Sequence, residues 1–292
     1  MTQTALEAFM AAPVAHIHID GIPMAYRRFG EGPPLLMVHG WPLSGVTYRY
    51  LLPELSQHFS CIVPDLPGAG DTPWHPGVGE VAAGYTRMLA GLADGLKLDR
   101  YALLAHDSGG AVARMLAARH GARITALVLT NTEVPDHVSL PVQLMQWATH
   151  VPGSRALFGA LLGSSTFRQS GVGFGGCFTD RERIEGGFLE TLAQDVTGAV
   201  QVLKHFDLKG AHRLGEVHAR ISAPTTLIWG EDDPFFPVQG AERMVPQFGG
   251  PTTLHRVPKM KLFVHEEAPQ EVLRHALPAL RAGFDAAPVR AA

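Results

Sequence analysis

The stretch of sequence most capable of chemistry lies where a short apolar run passes directly into a segment of helical period. Residues 101–105 predict a buried strand, and residues 108–120 predict a helix rich in small side chains. The sequence between them is His-Asp-Ser-Gly-Gly, at 106–110. A strand that enters a helix through one sharp turn is the setting of a nucleophile elbow, whose central residue presents its side chain to a cavity.

Steric demand selects the central residue of this turn. Strand and helix approach so closely that the residues two before and two after the nucleophile must be small. Around Asp107 these positions hold Ala105 and Gly109, both small. Around Ser108 the first of them would hold the imidazole of His106, which would clash. We therefore predict that Asp107, and not Ser108, is the reactive residue.

The chemistry of a carboxylate supports this choice. A serine needs a base to remove its proton, whereas an aspartate with a reference pKa of about 3.9 is expected to be an anion at neutral pH and can attack unaided. The partial positive charge at the start of the following helix favours the ionised form. The alternative is that Asp107 serves only as the N-cap of that helix.

Composition excludes several classes of partner. The chain has 292 residues, 46% of them hydrophobic and 17% charged, with a formal net charge of -3 and no basic run, so neither nucleic acid nor an anionic membrane is expected as a partner. The two cysteines, Cys61 and Cys177, fit no zinc motif, and we expect neither a metal nor a cofactor. No apolar stretch approaches a transmembrane length and no signal peptide opens the chain, so we expect a cytoplasmic protein.

The order of elements predicts an α/β fold with a mostly parallel sheet covered on both faces, since apolar runs alternate with segments of helical period. The predicted strands are 14–19, 23–29, 34–39, 61–64, 101–105, 124–130, 225–230 and 253–257. The first two flank Asp20-Gly21, a turn typical of an antiparallel hairpin. The predicted helices of this layer are 48–56, 81–96, 108–120 and 269–284.

Residues 134–222 interrupt the alternation. They contain several helical stretches, notably 187–206, and we interpret them as a helical cap inserted after the sixth strand into a core formed by 1–133 and 223–292. Such an insertion covers the carboxyl ends of the strands, where open α/β sheets bind ligands. Its large apolar side chains either line a pocket or form the core of the cap itself. They are Leu144, Trp147, Phe158, Phe167, Phe174 and Phe188.

Four motifs in order along the chain resemble the α/β-hydrolase superfamily, in the branch of haloalkane dehalogenases, fluoroacetate dehalogenases and epoxide hydrolases. They are HGWP at 39–42, DLPGAGD at 65–71, HDSGG at 106–110 and WGEDD at 229–233. The resemblance spans nearly the whole chain and implies an α/β-hydrolase fold with an eight-stranded sheet. It also implies that the backbone N–H groups of Trp41 and Ser108 form an oxyanion hole and that Asp233 is the catalytic acid.

The resemblance implies a reaction in two halves. The aspartate first displaces halide, or opens an epoxide, and leaves an alkyl ester on the enzyme. A water molecule activated by a histidine, which the acid orients, then attacks the ester carbonyl while the oxyanion hole holds the developing charge.

The sequence departs from this pattern at the histidine. Residues 258–269 match the flanks of the family's histidine motif, but Leu262 stands where the base is expected. Loss of a positioned base typically costs on the order of 100- to 10,000-fold in the step it serves. His265 and His39 are the substitutes that the sequence offers.

The groups that would assist a leaving group are also incomplete. Dehalogenases of this branch usually carry Trp or Arg after the nucleophile, where this chain has Ser108, although the indole N–H of Trp41 could replace them. Epoxide hydrolases use tyrosines of the cap, and all five tyrosines precede 134–222.

Three functions therefore stay open. The first is a dehalogenase-like enzyme, or an epoxide hydrolase-like one, acting on a small apolar electrophile through Asp107. The second is a ligand-binding protein that has lost turnover, and the third is a lyase or isomerase that uses Asp107 as a base. A small molecule is the expected partner, and the sequence is compatible with a monomer or a homodimer.

Overall fold

Eight apolar segments pair into one sheet that organises the chain. The computed structural model describes residues 2–192 and 196–285. Its strands are β1 Ala15–Ile19, β2 Ile22–Phe29, β3 Pro34–Val38, β4 Ser60–Pro64, β5 Tyr101–His106, β6 Ile124–Thr130, β7 Thr225–Gly230 and β8 Thr252–Val257. Their order across the sheet is β1-β2-β4-β3-β5-β6-β7-β8. β2 runs antiparallel to β1 and β4, and the other pairs are parallel. The mostly parallel eight-stranded sheet predicted from the sequence is confirmed.

The helices cover both faces of the sheet. They are α1 Thr2–Ala11, α2 Leu52–Leu55, α3 Val81–Gly95, α4 Ser108–His120, α5 Leu140–Ala148, α6 Ser154–Gly163, α7 Ser165–Gln169, α8 Val196–Lys204, α9 Leu214–His218, α10 Val238–Met244, α11 Val264–Glu267 and α12 Pro269–Asp285. Shorter 3₁₀ segments lie at Gly45–Tyr48, Pro76–Val78, Gly121–Arg123, Phe174–Gly176, Leu189–Thr191, Leu208–Arg213 and Val245–Gln247. A π-helical turn spans Ile184–Phe188.

The core is divided by the sheet because successive side chains of a strand point to opposite faces. Leu36 faces α3 and α4, whereas the neighbouring Leu35 faces α1 and α12. β3 to β7 carry almost only buried residues. This burial on both faces explains their continuous apolar sequences.

The described residues between β6 and β7 contain helices and turns and no strand, apart from an isolated antiparallel bridge between Leu192 and Leu43. The boundaries 134–222 of the predicted cap remain a prediction. The sequence analysis predicted one helical stretch over 187–206. The described residues there instead form three separate elements, namely the end of the π-helical turn, a 3₁₀ segment and α8, so the prediction of a continuous stretch is wrong. The adjacent Gly186 and Gly187 are poor helix formers, and they lie within the π-helical turn.

Other local predictions differ from the structure in small ways. α1 was not predicted, and 48–56 forms only the short α2 after a 3₁₀ turn. Asp20 and Gly21 both have positive φ, 52° and 79°, as the predicted tight hairpin requires. Among the residues described, no helix has the length and apolar character needed to traverse a bilayer.

Candidate functional site

The sharp turn between β5 and α4 is centred on Asp107. Asp107 has φ 50° and ψ -137°, a strained conformation for a residue with a side chain, and it occupies the N-cap position of α4 without making a side-chain cap hydrogen bond. A Cβ atom at Gly109 would collide with the carbonyl oxygens of Val38 and His39. The turn therefore needs a small residue at 109, and the Asp107 carboxylate is directed to another use than capping.

The Asp107 carboxylate is held by backbone N–H groups. The Trp41 N–H lies 2.9 Å from Asp107 Oδ2 and 2.9 Å from Ser108 Oγ, so it donates to both. The backbone N–H of Ser108 also favours the ionised carboxylate. The two N–H groups predicted for an oxyanion hole thus both act on the Asp107 side chain.

The electrostatic surroundings of Asp107 oppose its ionisation. Burial raises the pKa of the carboxyl to about 8, and the negative charge of Glu133 contributes further, against the opposing effect of the Ser108 and Trp41 N–H groups. Burial and the charge of Glu133 thus work against the ionisation that the sequence analysis expects for Asp107. With a pKa of about 8, only about one tenth of the molecules carry the anion at pH 7.

Glu133 is a site residue that the sequence analysis missed. It lies three residues after the end of β6, beside β5, and its Oε2 accepts from Thr132 Oγ1 at 2.8 Å. Thr132 Oγ1 is also 2.8 Å from the Asp107 carbonyl oxygen, and it accepts from Arg114 Nη2 at 3.0 Å. The buried Arg114 lies 3.7 Å from Glu133. Glu133 follows β6, the parallel neighbour of β5, and this position in the sequence was the signal that could have identified it.

Asp233 lies buried after β7, and its oxygens already have donors. Its Oδ1 accepts from the backbone N–H groups of Phe235 at 2.8 Å and Phe236 at 3.1 Å. Its Oδ2 accepts from Asn131 Nδ2 at 2.6 Å. Burial raises the pKa of Asp233 to about 6 despite these three donors. Asp233 Oδ2 therefore accepts from the Asn131 amide, and the expected histidine partner at 262 is a leucine.

Asn131 also joins the acid to the elbow. Its backbone carbonyl accepts from Asp107 N at 2.9 Å, and its side-chain oxygen accepts from Gly230 N at 2.8 Å. The structure therefore places Asp107 and Asp233 on opposite sides of one asparagine. The negative charge of Asp233 contributes, to a small extent, to the raised pKa of Asp107.

Leu262 belongs to a buried apolar cluster at this end of the sheet. The cluster comprises Leu43, Cys177, Phe178, Ile184, Phe188, Leu262 and Phe263. Leu262 is 7% exposed, so the position of the expected base is filled by packed hydrocarbon.

The two substitute histidines have other partners. Nε2 of His39 accepts from Leu66 N at 2.9 Å and Nδ1 lies 3.0 Å from the Gly40 carbonyl oxygen. Nε2 of His265 lies 2.7 Å from Thr47 Oγ1. Burial lowers the pKa of both imidazoles, that of His265 well below its usual value. In the described part of the chain, neither ring makes a hydrogen bond to Asp107 or Asp233.

The expected leaving-group donor is also engaged. Trp41 Nε1 donates to the carbonyl oxygen of Ala199, in α8, at 2.8 Å. In this conformation the indole N–H is not available to a halide, contrary to the expectation from the sequence.

The space beside the elbow is small. A cavity of about 10 Å³ is lined by Trp41, Ser108, Leu66, Tyr85 and Val202, among others. This volume is about what one water molecule needs. The Tyr85 hydroxyl donates to the Pro67 carbonyl oxygen at 2.5 Å.

The predicted pocket walls separate into two groups. Phe188 is buried against Phe174 and within the cluster around Leu262. Leu144 and Trp147, by contrast, are largely exposed on α5, and Trp147 lines an open groove of about 700 Å³ together with Gln146 and Phe206. Their assignment as pocket walls stays a prediction. Phe158 and Phe167 are half-buried. Among the described residues, no three His, Cys, Asp or Glu side chains are grouped to hold a metal ion.

Comparison with known proteins gives a consistent result. A family model described as alpha/beta hydrolase fold matches residues 33–269. Haloalkane dehalogenase 2 of Mycobacterium tuberculosis is 25% identical over 253 residues, which cover 83% of this chain and 86% of the relative.

Two further matches differ in sequence identity and in the share of this chain that they cover. Cis-3-alkyl-4-alkyloxetan-2-one decarboxylase of Shewanella oneidensis is 36% identical over 131 residues, or 43% of this chain and 41% of the relative. The solved structure of the epoxide hydrolase CorEH has a TM-score of 0.75 at 20% identity, covering 92% of this chain and 99% of that one, which shows a shared fold.

Proposed function

Because the chain belongs to the alpha/beta hydrolase fold family and is related to haloalkane dehalogenases and epoxide hydrolases, we propose that it is a hydrolase that attacks a small, mainly apolar electrophile with Asp107. The observation that carries this proposal is the conformation of Asp107. Its carboxylate sits at a strained turn, caps no helix, and accepts a hydrogen bond from Trp41 N–H. Strain of this kind at a buried charged group is a feature of reactive sites.

The first step is displacement by a carboxylate oxygen. Since Trp41 N–H holds Oδ2, we assign the attack to Oδ1. A lone pair of Oδ1 forms a bond to the carbon that carries the halogen, the carbon–halogen bond breaks, and halide leaves with the bonding electrons. The product is an alkyl ester whose carbonyl oxygen, Oδ2, stays against the Trp41 and Ser108 N–H groups.

The second step requires water and a base. Water must attack the ester carbon, give up a proton, and release the alcohol and the Asp107 carboxylate. Leu262 cannot accept a proton, and His39 and His265 are engaged with other partners. We therefore expect the first half-reaction to be faster than the second, so that the ester accumulates.

Intact-protein mass spectrometry after exposure to primary alkyl halides tests this function. We expect a mass increase equal to the alkyl group less the one hydrogen that it replaces, mapped by peptide analysis to Asp107 and absent from Asp107→Asn. The absence of any adduct or product across a panel of alkyl halides and epoxides would contradict the proposal. Epoxides belong in the panel because opening one yields the corresponding hydroxyalkyl ester.

A second candidate is favoured by Leu262. The Shewanella relative is named as a decarboxylase of an oxetan-2-one, a strained four-membered lactone. Breaking the ring C–O bond and the opposite C–C bond gives an alkene and carbon dioxide and consumes no water. Such a lyase has no net need of a base that activates water. Release of carbon dioxide and alkene from a dialkyl oxetan-2-one, with no adduct from alkyl halides, would favour this candidate over the first.

A further inference from the structure

The backbone of Asp107 brings its side chain close to the next peptide nitrogen. Asp107 has φ 50° and ψ -137°, near the values of about +60° and -120° at the first central residue of a type II′ turn. Around the Cα–C bond of an L-residue, Cβ is rotated by about 120° from N, so this ψ brings Cβ near the plane of the following peptide. A five-membered ring that joins Asp107 Cγ to Ser108 N therefore needs little rotation to close.

The nitrogen of Ser108 is available for such a ring. Ser108 is the first residue of α4, where a backbone N–H has no partner inside the helix. Among the described residues no backbone oxygen accepts from it, and its N–H interacts with the Asp107 carboxyl. Bond formation at this nitrogen would therefore cost the helix no backbone hydrogen bond.

The Asp107 carboxyl is confined in this position. The Trp41 N–H donates to Oδ2 at 2.9 Å, and the carboxyl packs so closely on Gly40 that a Cβ atom there would collide with it. The hydrogen bond to Oδ2 also polarises the carbonyl toward attack at Cγ. Water competes poorly with the neighbouring nitrogen, because the cavity beside the elbow has only about 10 Å³ and Leu262 cannot act as a base.

We propose that the Asp107–Ser108 peptide is a site of succinimide formation, and that an alkyl ester on Asp107 is discharged by the same ring closure. Ser108 N forms a bond to Asp107 Cγ, the bond from Cγ to Oδ1 breaks, and the N–H proton leaves with Oδ1. The free acid releases water in this step, and the ester releases the alcohol. The discharge of the ester rests on the proposed function, whereas ring closure of the free acid does not.

The acid form that can lose water predominates near neutral pH, because burial and the charge of Glu133 raise the pKa of Asp107 to about 8. Later hydrolysis of the imide opens either of its two C–N bonds and gives aspartate or isoaspartate. Isoaspartate adds one carbon to the backbone of the elbow. Release of the alcohol by this route would therefore inactivate a fraction of the enzyme.

Two other aspartates provide internal controls. Asp20 and Asp94 are each followed by glycine, the residue that least hinders ring closure. Asp20 and Gly21 both have positive φ, the pattern of a type I′ turn, in which ψ of the first residue is about +30°. Asp94 lies inside α3, where ψ is about -42°. Neither backbone brings Cβ into the plane of the next peptide, so the fold should protect both sites.

Peptide mass spectrometry without any electrophile tests the first part of the proposal. Hydroxylamine, present throughout, traps the imide as a hydroxamate even where the imide hydrolyses quickly. We expect the folded protein, at slightly acidic pH, to form hydroxamate at Asp107 at least about tenfold faster than at Asp20 or Asp94. In urea the order should reverse in favour of the two Asp-Gly sites. No hydroxamate at Asp107, or equal rates at the three sites of the folded protein, would overturn the proposal.

Variants at the ring-forming atoms separate this chemistry from other damage. Ser108→Pro removes the N–H, and proline is well tolerated at the first position of a helix. We expect no hydroxamate at Asp107 in this variant, whereas Ser108→Ala keeps the N–H and should form it. Asp107→Glu, whose ring would need a sixth atom, is a second non-cyclising variant in case circular dichroism shows that Ser108→Pro does not fold. Formation at the wild-type rate in either non-cyclising variant would contradict the proposal.

The isolated alkyl adduct tests the second part. We expect it to pass to the mass of the protein less one water, with the alcohol in solution, and to persist at least about tenfold longer in Ser108→Pro. An adduct that decays equally fast in both proteins would overturn discharge by Ser108 N. Absence of any adduct would overturn this second part together with the proposed function, while the measurement without electrophile decides the first part.

Discussion

Replacing Glu133 by glutamine should shift the pH dependence of ester formation at Asp107 toward lower pH. Thr132 Oγ1 lies 2.8 Å from both the backbone carbonyl oxygen of Asp107 and Glu133 Oε2, so its single proton is shared between these two acceptors and the two residues are close neighbours. For two unit negative charges about 7 Å apart, at an effective dielectric constant between 20 and 80, the repulsion is roughly 0.6 to 2.4 kcal/mol. This range corresponds to about half a unit to nearly two units of pKa.

The expected rate follows from the ionised fraction. With the pKa of Asp107 at about 8, about one tenth of the wild-type enzyme carries the nucleophilic anion at pH 7. A decrease of about one unit in Glu133→Gln would ionise about half of it and speed adduct formation roughly fivefold at pH 7. At about pH 10, where both proteins are fully ionised, the rates should converge.

The assay is the initial rate of adduct formation with one alkyl halide, followed by intact-protein mass spectrometry from about pH 6 to pH 10. Glu54→Gln, a change on the exposed face of α2, is the control for removing a carboxylate elsewhere. Thr132→Val removes the bridging hydroxyl but keeps the charge, so its midpoint should stay near that of the wild type. An unchanged midpoint in Glu133→Gln, or one displaced to higher pH, would refute the electrostatic reasoning.

Three further predictions address the elbow and the missing base. The folded protein holds the Asp107 proton up to about pH 8, whereas the unfolded chain releases it near pH 4, so this group lowers the stability of the fold as pH rises between those values. The increase in thermal midpoint of Asp107→Asn over the wild type should therefore be larger at pH 8 than at pH 5. Gly109→Ala should lower the free energy of unfolding by about 2 kcal/mol or more, measured in urea, because its methyl group meets the carbonyl oxygens of Val38 and His39. Leu262→His should hasten release of the ester, measured as loss of the adduct mass after removal of excess halide, and Leu262→Met should not.

Sequence reasoning located the sheet and the elbow because both depend on local rules. The continuous apolar strands and the small residues at 105 and 109 follow from burial on both faces and from the close approach of β5 and α4. The same reasoning failed where the outcome depends on packing between distant segments. Trp147 lines an open groove beside Gln146, whose amide donates to Leu203 and Phe206, and a helical period does not reveal which distant segments a face of α5 meets.

The raised pKa of Asp107 could not be inferred from the sequence either, because it too depends on packing between distant segments. A reference pKa describes a carboxyl group in water, whereas this one is surrounded by β3, α4 and the loop that carries Glu133. The residue that follows β6 was not considered a site residue, because its relation to Asp107 arises only when β5 and β6 pair in parallel. The N–H groups of Trp41 and Ser108, by contrast, were expected near Asp107, because both residues belong to motifs at strand ends, and in the structure both act on its carboxylate; their role as an oxyanion hole stays a prediction.

The structure also indicates why a single substitution at 262 should restore only part of a hydrolytic site. Leu262 packs in an apolar cluster, so a new imidazole would replace packed hydrocarbon, and at Asp233 Oδ2 it would have to share the oxygen with the Asn131 amide, which donates at 2.6 Å. Asn131 cannot move freely, because its backbone and side-chain oxygens hold Asp107 N and Gly230 N. Through Asn131, the carboxylate of Asp233 is linked to the turn at Asp107, an arrangement that contains no histidine. If instead Leu262→His alone gave release as fast as ester formation, the apolar cluster would have to accommodate the imidazole without loss of its orientation.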